Sequence, residues 1–141
     1  MDLSQMFARM PFNEHLGIEL LEAEDGVAVG RLELASEHSS NPQTMVAHGG
    51  VAYALADTVG GAAVISSNRT VTPTIDMRID YLSPATHGTL HAEAEVVRDG
   101  NSVATVEVDI TDDDGVDIAT ARGTYKTGGG GDETAWSGDA T

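Results

Sequence analysis

Between Gly49 and Ser66 the chain reads GGVAYALADTVGGAAVIS, and small apolar residues occupy every side of a helical wheel. A helix apolar all round is normally buried, so the rest of the chain has to cover it. What remains has the period of strands. Ile75, Met77, Ile79 and Tyr81 alternate with Thr74, Asp76, Arg78 and Asp80. Leu90, Ala92, Ala94 and Val96 alternate with Thr89, His91, Glu93 and Glu95; Ala104, Val106, Val108 and Ile110 do so with Thr105, Glu107, Asp109 and Thr111. A period of two with one apolar face is a sheet wet on one side. Residues 116–126 continue the pattern less cleanly, and Asp99-Gly100 and Asp114-Gly115 supply tight turns. Upstream, 17–23 and 27–35 read as a hairpin about Asp25-Gly26, with an apolar phase slip between Val29 and Leu32 that suggests a bulge. The expected architecture is α+β: two strands, one buried helix, then four strands in a meander. The curved antiparallel sheet wraps the helix. Gly60-Gly61 weakens that helix intrinsically and lets another element come close.

The ends add less. Leu3, Met6, Phe7 and Met10 recur at helical spacing, with Pro11 as a stop. Residues 36–47 are polar and irregular around the Asn41-Pro42 turn. The 141 residues suit one domain, read here as 1–127. The glycine-rich, acidic stretch 128–141 reads as a disordered tail, and Trp136 within it receives no role. There is no cysteine, which excludes disulfides and thiolate chemistry. No run of eighteen apolar residues and no basic-then-apolar leader is found, so a cytoplasmic protein without a membrane span is expected. The net charge is −16, with 23 acidic residues against 7 basic ones, of which only Lys126 is a lysine. Such a polyanion repels nucleic acid and anionic membranes. The imbalance also suits a protein that works in very salty surroundings.

Asp57 is the residue out of place. A carboxylate inside an apolar helix costs several kcal/mol unless it is partnered. It is either satisfied structurally, by backbone or an arginine, or it is a base with a perturbed pKa. At the helix start, His48-Gly49-Gly50 follows two poor caps, Val46 and Ala47. Its first backbone N–H groups are then free to meet an anion or a polarised carbonyl, and glycine lets a substrate approach them. The alternative is a tight turn that needs glycine for its dihedrals. Gly49 and Asp57 lie about 12 Å apart along one helix, too far to act on one carbonyl. Two antiparallel copies of the helix would set Gly49 of one against Asp57 of the other, so the spacing argues for a symmetric dimer with two composite sites.

The segment from Asn41 to Asp57, with HGGVAYALADT at its centre, resembles the PaaI-like hot-dog thioesterases. PFNEHLGIEL and TIDMRIDYLSPA are similar too, and the resemblance spans about residues 10–126. It implies a hot-dog fold and hydrolysis of acyl-CoA to free acid and coenzyme A, in a homodimer or homotetramer. Gly49 would supply the oxyanion N–H, with Gly50 beside it at the substrate. Asp57 of the other subunit would be base or nucleophile. His48 would position the thioester, Ser83 would hold the attacking water or the carboxylate, and Asn41 would complete the site. In the family that asparagine precedes the histidine by six residues with a glycine between; here the gap is seven, and Thr44-Met45 replaces the glycine.

Other residues are weaker candidates. Tyr53 either lines the acyl pocket or packs in the core. His87 and His91 sit about 13 Å apart along a strand, so no metal site is expected. His15 and His38 read as surface residues. Arg69, Arg78, Arg98 and Arg122 either hold coenzyme A phosphates or balance surface charge. No phosphate loop, Ser-His-Asp motif or dinucleotide fingerprint is present, and no cofactor is expected. The rival functions on the same fold are a non-catalytic acyl-CoA binding or sensing module and an acyl-CoA hydratase. A hydratase would need a histidine close after Asp57, and none follows before His87.

Overall fold

A computed structural model describes residues 2–128; 129–141, with Trp136 and nearly all of the expected disordered tail, lie outside the described residues. Helix α1 (Leu3–Ala8) starts on Asp2, whose side chain accepts the Gln5 N–H, and buries Leu3 and Phe7. Pro11 does more than end it. It opens a second short helix, α2 (Pro11–Leu16), in whose first turn a missing N–H costs nothing. Strands β1 (Ile18–Glu24) and β2 (Val27–Glu33) form the expected hairpin. Asp25 and Gly26 both take positive φ (50° and 84°), as the tightest hairpin turn requires.

The bulge lies across the hairpin from its expected place, in β1 between Leu20 and Glu22. In β2 the alternation never breaks: Ala28, Gly30 and Leu32 all face inward. The inward residue in the middle simply lacks a side chain. A Cβ at Gly30 would lie 2.5 Å from Val59 Cγ2, so the helix occupies that space, and this mimicked a phase slip.

Helix α3 (Gly49–Asn68) is followed by β3 (Thr74–Tyr81), β4 (Thr89–Asp99), β5 (Val103–Thr111) and β6 (Asp117–Lys126). The six strands form one antiparallel sheet in the order β1-β2-β4-β5-β6-β3. Only β4, β5 and β6 form a meander. The expected four-strand meander fails at β3, which pairs with β6 at the far edge, because alternation reports a strand's faces and says nothing of its neighbours. The sheet curls around α3. Leu55, Val59, Ala62, Ala63 and Val64 meet inward Ala28, Leu32, Leu90, Ala92, Val106, Val108 and Ile110. The many alanines bring helix and sheet close, so a modest set of side chains fills the core.

α3 is not covered on every side. Gly50, Tyr53, Ala54, Asp57 and Thr58, spaced three and four apart, form a stripe that stays exposed or half-buried. The edge strand β3 beside it leaves Ile75 57% and Tyr81 53% exposed. By length and composition α3 is apolar enough to cross a membrane, which a count of unbroken apolar residues did not register; here the sheet buries most of it.

Candidate active site

The approach to α3 is pinned from both sides. The Ala47 N–H donates to Ala85 O at 2.8 Å, and the His48 N–H donates to His38 O at 2.8 Å. His38 is therefore no surface residue. It is 4% exposed, accepts the Ala35 N–H on Nδ1 at 2.9 Å and donates from Nε2 to Leu16 O at 2.8 Å. Asn41 remains exposed. Its side-chain oxygen accepts the Gln43 and Thr44 N–H groups, shaping its own loop, and it does not line the cavity described next.

His48 is the N-cap of α3, and its Nδ1 accepts the Gly50 N–H at 2.8 Å. A backbone N–H can only donate, so in the neutral ring the proton sits on Nε2. This uses the Gly50 donor. The Gly49 N–H has no partner among the described residues, and Gly49 does not take a positive φ. Around these groups lies a cavity of about 390 Å³, lined by His48, Gly49, Ala52, Tyr81, Ser83 and Ile118 among others. Its size suits a small-molecule site. The Leu82 and Ser83 N–H groups both donate to Ile118 O, which ties this loop to β6 and sets Ser83 facing the helix start.

Asp57 lies two turns further along α3, half-buried on the open stripe and away from that cavity. It is partnered. Its Oδ1 accepts the Thr74 hydroxyl at 2.7 Å and the Tyr125 hydroxyl at 3.0 Å, and Tyr125 also lies 2.8 Å from the Asp57 carbonyl oxygen. Among the described residues no donor reaches Oδ2. Burial, and then the Asp57 charge, push the Tyr125 phenol well above its ordinary pKa, so it stays a protonated donor. Gly60 and Gly123 make room for its ring and hydroxyl, since a Cβ would meet Tyr125 atoms at 2.9 and 3.0 Å, whereas one at Gly61 would make only an ordinary contact at 3.4 Å. The element that Gly60 admits is thus a side chain from β6. Thr74 and Tyr125, the two donors to the candidate residue Asp57, are contacts that pattern reading missed. The available signal was Gly123 two places before one of only three tyrosines, on a strand facing a Gly-Gly helix.

Tyr53, on the same stripe, donates to Met77 O at 2.7 Å and lines neither the cavity nor the core. Arg78 pairs with Asp80 and Arg122 with Glu107, while Arg69 and Arg98 form no ion pair among the described residues. His91 donates to Asp113, whose carboxyl is held below its usual range by that bond and by the Thr89 N–H. His87 turns to Asp114 instead. The ligand atoms of His87, Asp112 and Asp114 lie within 4.8 Å of one another. Asp112 Oδ1, however, already accepts the Asp114 and Val116 N–H groups.

Comparison with known proteins agrees with this geometry. Residues 45–119, which run from the approach to α3 into β6, match the thioesterase superfamily. The chain is 30% identical over 142 residues to the medium/long-chain acyl-CoA thioesterase YigI of Escherichia coli, covering 89% of this chain and 92% of that one. Its fold superposes on the Escherichia coli PaaI protein of the phenylacetic acid degradation operon with a TM-score of 0.82 at 26% identity, over 92% of each chain. A thioesterase structure from Streptococcus pneumoniae with coenzyme A gives 0.72 at 27% identity, over 79% of this chain and 86% of that one. With one helix wrapped by a six-stranded antiparallel sheet, and with these matches in sequence and fold, the chain belongs to the thioesterase superfamily and has its hot-dog fold.

Proposed function

We propose that the protein hydrolyses acyl-CoA thioesters in a site completed by a second copy of the chain. The observation that carries this reading is the division of the chemistry within one protomer. The Gly49 N–H, the His48 Nε2–H and Ser83 gather at the cavity, while Asp57 stands about 12 Å away on the same rigid helix. The stripe Gly50–Tyr53–Ala54–Asp57–Thr58 and the half-covered β3 beside it form an open face that exposes the apolar surface of Tyr53, Ile75 and Tyr81. An antiparallel second copy laid on that face brings the partner subunit's Asp57 to the cavity.

In the complete site the thioester carbonyl accepts from the Gly49 N–H, which stabilises the charge developing on its oxygen. His48 donates from Nε2 to orient the thioester, and Ser83 holds the water. The partner subunit's Asp57 takes a proton from that water, or attacks the carbonyl carbon itself to form an anhydride that water then cleaves. Either route uses Oδ2, which no donor reaches among the described residues. The carbonyl–sulfur bond breaks, the acyl group takes the water's hydroxyl and leaves as the acid, and the proton that water gives up, through the partner subunit's Asp57 or on cleavage of the anhydride, ends on the coenzyme A sulfur. Protein groups and water suffice for every step. The YigI relatives point to medium or long acyl chains, and binding of coenzyme A in the Streptococcus pneumoniae structure supports the same substrate class. Of the four candidate arginines, Arg69 and Arg98 form no ion pair among the described residues and are the ones available for its phosphates.

Mixing two inactive variants tests the shared site. Asp57→Asn removes the base. Gly49→Pro removes the oxyanion N–H at the first helical position, where proline is tolerated. Its Cβ would lie 3.0 Å from the half-exposed Tyr81 hydroxyl, which must give by a few tenths of an ångström. Each variant is first shown to fold and to dimerise. The two are then unfolded together and refolded as an equal mixture. Half the dimers are mixed, each with one intact site of two, so activity should recover to about a quarter of wild type. A mixture of properly exchanging variants that stays inactive refutes the shared site, as would a wild-type protein active as a monomer.

A further inference from the structure

Tyr81 closes β3 beside the start of α3, and no step above uses it. Its hydroxyl donates to Gly49 O at 2.6 Å, a short contact for an O–H···O bond. Its ring lies directly on Gly49, where a Cβ would come within 3.0 Å of the phenol oxygen and 3.1 Å of Cζ. Any other residue at position 49 would push the ring away. The Gly49 carbonyl belongs to the same peptide unit as the Gly50 N–H, and that N–H donates to His48 Nδ1 at 2.8 Å. Three groups are therefore in series: phenol, peptide, imidazole. A donor on a peptide's oxygen polarises its N–H, and bonds in such a chain strengthen one another by about 10–30% each.

We propose that Tyr81 is a positioning residue for His48. Through the 49–50 peptide it holds the imidazole with Nδ1 as acceptor and Nε2 carrying the proton that faces the substrate, and it anchors Gly49 at the cavity. Burial and the neighbouring Tyr53 phenol both raise the Tyr81 pKa, so the hydroxyl remains a donor at neutral pH. A purely structural role fits poorly. Tyr81 is 53% exposed and contributes little to the core, yet its one polar atom is aimed at the one peptide that caps onto His48. The proposal rests on the thioesterase reading for what His48 does, but not for how the imidazole is held.

The test is Tyr81→Phe, which keeps the ring and removes only the hydroxyl. The tautomer of His48 is read from the nitrogen shifts of histidine-labelled protein at neutral pH, without substrate. Wild type should show an unprotonated Nδ1 and a protonated Nε2. In Tyr81→Phe the two shifts should move towards each other as the Nδ1–H form becomes populated. The kcat on a medium-chain acyl-CoA should fall about twofold to tenfold, the effect of one neutral hydrogen bond, with KM within twofold. An unmoved tautomer in the variant overturns the proposal, and so does a moved tautomer with unchanged kcat. Wild-type protein that already carries its proton on Nδ1 overturns it without any variant. Failure of the wild type to hydrolyse any acyl-CoA would instead sink the thioesterase reading, while leaving the tautomer result to stand on its own.

Discussion

Two adjacent glycines give opposite predictions. Gly60 and Gly61 both lie in the interior of α3, where replacing glycine by alanine gains about 1 kcal/mol of helix propensity. A Cβ on Gly61 meets nothing closer than Tyr125 Cε2 at 3.4 Å, an ordinary contact. Gly61→Ala should therefore keep the gain. On Gly60 the Cβ would stand 2.9 Å from the Tyr125 hydroxyl, 3.2 Å from Val106 Cγ1 and 3.3 Å from Val108 Cγ2. All three atoms are packed in the core, and overpacking of this kind costs about 1–3 kcal/mol. Gly60→Ala should thus be neutral to about 2 kcal/mol destabilised, and about 1–3 kcal/mol less stable than Gly61→Ala. That is a difference of several degrees in Tm for a domain of this size. Activity should separate them as well. Moving the Tyr125 hydroxyl off Asp57 removes a hydrogen bond to a charged group, and 1.4 kcal/mol of that interaction is about tenfold in rate. Urea unfolding and kcat/KM on one acyl-CoA measure both effects. Gly60→Ala as stable and as active as Gly61→Ala would show that Tyr125 does not fill the slot as described, and the account of how Asp57 is held would fall with it.

Asp57→Asn keeps the side chain's shape and removes the base, so turnover should fall by about 10²–10⁴-fold; activity within a few-fold of wild type would remove Asp57 from the mechanism. Ser83→Ala, which deletes one orienting hydroxyl at the cavity, should cost much less than Asp57→Asn, and the reverse order would exchange their roles. With a net charge of −16, both the Tm and the apparent affinity for polyanionic coenzyme A esters should rise from dilute buffer to about 1 M salt, where the Debye length shrinks to about 3 Å. A Tm and KM flat across that range would refute the salt-adaptation reading and leave the enzyme assignment untouched.

What the sequence disclosed was whatever repeats within a segment. The helix from Gly49, the hairpin at Asp25-Gly26 and the alternating strands were all legible, because each declares its own period or its own turn. Relations between segments were not. Nothing in Thr74–Tyr81 tells that it crosses to the far edge to pair with β6. Nothing in His38 tells that its ring links Ala35 to Leu16. The open stripe on α3 was only half legible: Asp57 and Thr58 lie on it, but Gly50, Tyr53 and Ala54 read like the covered residues, so composition alone does not say where the sheet stops.

Asp57 shows how much a distant residue decides. Inside an apolar helix its carboxylate was either a cost or a catalyst. The structure makes both descriptions compatible. One oxygen is bound by Thr74 from the edge strand and Tyr125 from its neighbour, which offsets the burial, and no donor reaches the other among the described residues. That arrangement needs Tyr125 to cross the core, and a phenol cannot do so in a packed interior unless side chains are missing along its path. Gly60 and Gly123, from two elements far apart in sequence, are where they are missing: a Cβ at Gly60 would stand 2.9 Å from the hydroxyl, and one at Gly123 3.0 Å from the ring. Gly60 costs α3 about 1 kcal/mol of intrinsic helix stability relative to alanine, and its Cβ would also press on Val106 and Val108. Gly61 leaves room that an alanine would fill. Gly60 is explained by the ring and the two valines packed against it, and the hydroxyl by the carboxylate it holds.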